Sequence, residues 1–281
     1  MAPKLKSLAR ALSKRGPNRV LRGNLAIAGQ PGVVYTPESG FNLPAVVFAH
    51  GWMNGVGHYA KTLEHLASWG IIVAAPNSER GPVPSHLGLA TDLQSTLDIC
   101  LGVRLGPGQL SVQANRVGFV GHGMGAGAAV IAATQREVQA VAALFPAPTA
   151  PKSEQYAPHV TSPGLIVAGE FDVDSMGCNA TALATEWGGD AIFRTVDSAL
   201  SSGLVEGRRL LGAMGAPNGE KKTQATTRAL LTGFLLSTLT EDKTYSAFSE
   251  ADAEIPNTTL VDPNEREVEE GAELTSLLPK A

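Results

Sequence analysis

Arg116-Val117-Gly118-Phe119-Val120-Gly121-His122-Gly123-Met124-Gly125-Ala126-Gly127 is the stretch that decides the fold of this 281-residue chain. A short apolar run of strand character meets a turn crowded with glycine, and an alanine-rich helix starts at once. Small residues let a strand and a helix meet at a tight elbow, with the middle residue of the turn projecting above the sheet. Working outward, residues 32–36, 45–49, 71–75, 138–145, 164–168 and 191–196 read as further strands, and 59–68, 87–103, 125–134 and 226–239 as helices. Strands alternating with helices predict an α/β fold, a mostly parallel central sheet covered by helices on both faces. The Pro/Ala-rich stretch 146–163 reads as a long connection over the sheet edge. Residues 3–15 have helical spacing, with Leu5, Leu8 and Leu12 on one face and cations around the rest, and Gly16-Pro17 ends the pattern.

Composition excludes several classes. The chain is 43% hydrophobic, too apolar for a disordered protein, and it has no apolar run of the ~18 residues that a membrane span needs. Cys100 and Cys178 cannot build a disulfide framework or a four-thiolate zinc site, although one bridge is open to them. The formal net charge of -4 hides an asymmetry. Residues 1–22 carry seven cations and no acid, whereas 250–273 carry nine acids and the single cation Arg266. Three parts are therefore expected: a basic N-terminal arm with a short amphipathic helix (1–31), the α/β domain (32–240), and an acidic, flexible C-terminal tail (241–281). Charges interrupt every candidate apolar region of an export signal, so the expected location is cytoplasmic. A cationic amphipathic helix can lie on an anionic bilayer, which would place the protein at the inner membrane face. The alternative is a helix docked on the body or on the tail. The acidic tail offers a surface to a protein partner. Nucleic acid is not expected, because the body is net acidic and has no basic stripe.

Three motifs carry chemistry. Val46-Val47-Phe48-Ala49-His50-Gly51-Trp52 is a strand ending in a His-Gly-aromatic step. Leu66-Ala67-Ser68-Trp69-Gly70-Ile71-Ile72-Val73-Ala74-Ala75-Pro76 is a helix–strand unit, and Gly169-Glu170-Phe171-Asp172 closes a later strand. With the elbow, in this order and at these separations, they resemble the α/β-hydrolase superfamily, in particular dienelactone-hydrolase-like proteins and cutinase-like polyester hydrolases. The similarity covers roughly residues 32–240. It implies an oxyanion hole formed by backbone N–H groups of Trp52 and Met124, a nucleophile at position 123 and a triad acid at Asp172.

The sequence departs from that pattern at two of the three catalytic positions. Hydrolysis of this kind needs a hydroxyl or thiol, an imidazole to take its proton, and a carboxylate to orient the imidazole. Position 123 is glycine, and all six histidines (His50, His58, His65, His86, His122, His159) precede Asp172. No catalytic residue is therefore expected to be intact, with Gly123 and Asp172 as vestiges. The expected function is binding of a lipid- or ester-like ligand or a protein partner, through Gly51, Trp52, His122 and Met124. Two alternatives stand beside it. One is a carboxylic-ester hydrolase with a displaced site, with His122, His50 or His159 as base and Ser175 or a water as nucleophile; the other is a pure scaffold. Gly121-x-Gly123-x-x-Ala126 also fits a dinucleotide fingerprint, but the following strand ends Ala143-Leu144-Phe145-Pro146-Ala147 without the acid that would hold a ribose. No cofactor and no metal are expected, since Glu170, Asp172 and Asp174 have no histidine near them in the chain.

Overall fold

The computed structural model describes residues 5–106, 108–207 and 219–265. Nine strands form one sheet in the order β1-β2-β4-β3-β5-β6-β7-β8-β9. They are β1 (Val20–Asn24), β2 (Gly32–Pro37), β3 (Gly40–Ala49), β4 (Ile72–Pro76), β5 (Leu110–His122), β6 (Ala140–Leu144), β7 (Gly164–Gly169), β8 (Ala191–Val196) and β9 (Thr258–Leu260). The strands from β4 across to β8 pair parallel, while β1 and β2 at one edge and β9 at the other pair antiparallel. The helices are α1 (Leu5–Leu12), α2 (Ala60–Ser68), α3 (His86–Gly102), α4 (Met124–Ala133), α5 (Ala180–Thr185) and α6 (Lys221–Thr240).

The alternation read from the sequence is present, and its physical basis is two-sided burial. β4 and β6 are buried throughout, as expected of central parallel strands covered on both faces. One core layer packs α3, α4 and α5 on one face of the sheet; the other packs α1, α2 and α6 on the opposite face. Cys100 lies buried in the first layer, and the bridge left open by the sequence is not formed.

Both ends belong to the domain more closely than their charge suggests. The expected boundaries at 32 and 240 are too tight, because the sheet starts at Val20 and closes at Leu260. Leu12 is fully buried, Ala9 nearly so, and Leu5 and Leu8 pack against the same core layer. The leucines that a bilayer-lying helix would insert are thus spent on the body, through contacts between α1 and α6. Beyond α6, a 3-10 turn at Lys243–Ser249 buries Phe248 against Gly233, and β9 adds to the sheet edge. The first 25 residues of the expected flexible tail are therefore ordered, since Phe248 and Ile255 have apolar surface to bury. Residues 266–281, with the remaining acids, lie outside the described residues. No helix among the described residues is long and apolar enough to cross a membrane.

Candidate functional site

The elbow between β5 and α4 requires its glycines for two different reasons. At Gly121 and Gly125 a Cβ would stand 1.9 Å from the Gly125 carbonyl oxygen and 2.4 Å from the Ala49 carbonyl oxygen, so only glycine lets the strand and helix meet. At Gly123 the backbone is strained, with φ 58° and ψ -122°, but space is open: a Cβ would meet only Gly51 Cα, at 3.6 Å. The turn has the geometry that projects a side chain above the sheet, and the residue at its tip has none.

Above Gly123 lies a cleft of about 740 Å³. Gly51, Trp52, His122 and Met124, the four binding residues expected from the sequence, all line it. Trp52 follows the end of β3 and Met124 opens α4, where backbone N–H groups have no partner within the helix. Neither the Trp52 nor the Met124 N–H donates to an acceptor among the described residues. Apolar groups form much of the wall: Trp52, Met53 and Val83 are exposed at the cleft, and the Trp52 indole donates to the Pro82 carbonyl at 3.1 Å. The stretch read as a loop over the edge contributes Ala147, Pro148 and Ala150 to the same cleft, and folds into two 3-10 turns at Ser153–Gln155 and Ala157–His159.

Beneath the cleft, hydrogen bonds run in one direction. Gly51 N–H donates to Tyr59 Oη (3.0 Å), and Tyr59 Oη meets His122 Nδ1 (2.8 Å). His122 Nε2 faces the Ser201 carbonyl (3.1 Å), and Ser201 N–H donates to Asp172 Oδ2 (2.7 Å). A carbonyl only accepts, so Nε2 carries the proton of the neutral ring and Nδ1 accepts from the tyrosine. Both ring nitrogens of His122 thus have partners among the described residues. His50 is fully buried, with its nitrogens against the carbonyls of Gly51 (3.0 Å) and Ser78 (2.7 Å). His159 is exposed on its 3-10 turn and does not line the cleft, and Ser175 donates its hydroxyl to the Asp172 carbonyl (2.7 Å). Of His50, His122, His159 and Ser175, only His122 lines the cleft.

Asp172 sits just after β7, as its motif requires, but its partner is a backbone group. Ser201, the first residue of a 3-10 turn (Ser201–Leu204) that follows β8, holds Oδ2, while Oδ1 is buried without a partner among the described residues. The carboxylate ties down a loop. Among the described residues no group of three or more His, Cys, Asp or Glu is placed to hold a metal ion.

Sequence reasoning missed the cluster that anchors the next few residues. Glu206 is buried, and its carboxylate accepts from Lys61 N (2.7 Å), Thr62 N (2.8 Å), Thr62 Oγ1 (2.7 Å) and Arg228 Nη2 (2.6 Å). An acid in the first turn of α2 suits the positive end of the helix. It comes from 144 residues away, so no local signal announced it. The same residue fixes His58: Glu206 N–H donates to the His58 carbonyl (2.8 Å), and His58 Nδ1 faces the Glu206 carbonyl (3.0 Å).

Parallel sheet, strand order, glycine elbow and cleft above it define an α/β-hydrolase fold. Residues 20–166 match the chlorophyllase family profile, just over half of the chain. The protein belongs to the chlorophyllase family. The match begins at the first residue of β1 and ends within β7, so it includes the Trp52 loop and the elbow but stops before Asp172. No curated protein matches the chain.

Proposed function

We propose that this protein is a catalytically silent member of its family that holds a lipid- or ester-like ligand in the cleft without cleaving it. The observation that carries this reading is a pair of backbone N–H groups, of Trp52 and Met124, unpartnered among the described residues, at an open cleft whose nucleophile position is Gly123. Such donors can take a carbonyl oxygen, and the apolar wall suits an acyl chain. Cleavage lacks its attacking group, because position 123 has no side chain. It also lacks its base: no histidine follows Asp172 in the sequence, and the Ser201 backbone pairs with that acid. Motif resemblance to dienelactone-hydrolase-like and cutinase-like proteins supports an ester as the ligand class. Serine hydrolases stripped of triad members retain only about 10³-fold enhancement over water.

The test is direct. Purified protein should be unlabelled by a serine-directed fluorophosphonate and silent on short-chain nitrophenyl esters, yet a medium-chain ester should quench Trp52 fluorescence saturably. Turnover that is abolished by changing one hydroxyl or one histidine would overturn the proposal.

A further inference from the structure

The cleft has a second set of polar contacts, on two histidines that the elbow chemistry does not use. His58 and His86 both line it. His58 Nδ1 lies 3.0 Å from the Glu206 carbonyl, which can only accept. The neutral ring therefore carries its proton on Nδ1 and leaves Nε2 as an open acceptor. His86 is held through the same nitrogen but in neither tautomer alone: its Nδ1 lies 3.0 Å from the Ala150 N–H and 3.2 Å from the Ala150 carbonyl, so its Nε2 can serve in either role. Neither Nε2 has a partner among the described residues, and neither is a buried orphan. The His58 imidazole thus offers the cleft an acceptor, set by backbone from a distant part of the chain, and His86 adds a second ring nitrogen of either polarity. Among the described residues the lining contains no Asp, Glu, Lys or Arg, so a charged ligand finds no counter-charge in it.

We infer that the cleft selects a neutral ester bearing a free hydroxyl, of the kind a partial glyceride presents, over a plain ester or a free carboxylate. This rests on the binding role proposed above. The ester carbonyl takes the Trp52 and Met124 N–H groups. The ligand hydroxyl donates to His58 Nε2, His86 Nε2 pairs with a further polar atom of the ligand, and the acyl chain covers Trp52 and Val83. A plain ester leaves the His58 acceptor unpaired once water is expelled, the kind of loss that lets a polar site reject an analogue lacking its hydroxyl.

The experiment compares three ligands on the full chain: monooctanoylglycerol, propyl octanoate and octanoate, read by tryptophan fluorescence and calorimetry. The expected result is monooctanoylglycerol binding roughly 10-fold tighter than propyl octanoate, with octanoate weakest. His58→Phe should bring the two esters to equal affinity. In the wild type, which needs no variant to fold, the ¹⁵N resonance of His58 Nε2 should shift with monooctanoylglycerol and not with propyl octanoate. Equal affinity of the two esters, or octanoate as the tightest ligand, would overturn this inference while leaving ligand binding in place. Failure of all three to bind, or their hydrolysis, would instead overturn the binding role itself.

Discussion

At position 123 the backbone has a positive φ and an open space above it, so placing a hydroxyl there is a clean experiment. Gly123→Ser should fold with a cost of about 1–2 kcal/mol from the positive φ, read as a shift in urea midpoint. It should show no measurable esterase activity, because the backbone of Ser201, and no imidazole, pairs with Asp172. Strong activity from that single change would mean that another base reaches position 123. Gly121→Ala differs in kind, since its Cβ would collide with backbone at 1.9 Å. A destabilisation of about 3 kcal/mol or more is expected, measurable by thermal melting. The absence of a side chain at 123 was legible from one residue of sequence. The burial of both His122 nitrogens in partners was not, because Tyr59 and Ser201 lie 63 and 79 residues away.

The interactions of α2 with α1, α6 and the segment after β8 decide much of the local stability and its pH dependence. Glu206 and Arg228 are both largely buried and pair at 2.6 Å. Arg228→Ala would leave the carboxylate without its counter-charge and should cost about 3–5 kcal/mol, visible in chemical denaturation. His65, on the same helix, is held well below the ordinary histidine range, at about 4, chiefly by burial and secondarily by the Arg228 charge. Its unfolded value is 6.5, so between about pH 6.5 and 4 the unfolded chain binds the extra proton. Stability should be full above pH 6.5 and fall by roughly 3 kcal/mol as the pH drops to 4. His65→Gln should flatten that slope in urea titrations at a series of pH values. An unchanged slope would place the acid sensitivity elsewhere. Helix α2 itself was legible from the spacing of Leu63, Leu66 and Ala67. The charged cluster at its start was not, because Glu206 and Arg228 reach it from distant parts of the chain.

Over the whole molecule, the net charge of -4 describes neither end. The basic arm is stitched to the body by buried Leu12, by Gly16 N–H on Ser68 Oγ (2.7 Å) and by the Trp69 indole on the Lys14 carbonyl (3.0 Å). Removing residues 1–19 should therefore lower stability by at least ~3 kcal/mol, since Leu12 alone fills a core site. Its effect on liposome co-sedimentation should be small and confined to low salt, because the remaining attraction is that of exposed cations. Unchanged stability would show that the arm is an independent appendage. Alternating periodicity and the glycine-crowded turn determined the element order and the fold class, because two-sided burial writes itself into local sequence. The same sequence determined that position 123 has no hydroxyl and that no histidine follows Asp172, since a missing functional group needs no geometry to be missed. Only the tertiary structure decided that the cleft is open, that Asp172 secures a loop, and that β1 and β9 close the sheet. It alone decided which nitrogens of His58 and His86 are left for a ligand. A tautomer is set by the group opposite the ring, and for His58 that group is 148 residues along the chain.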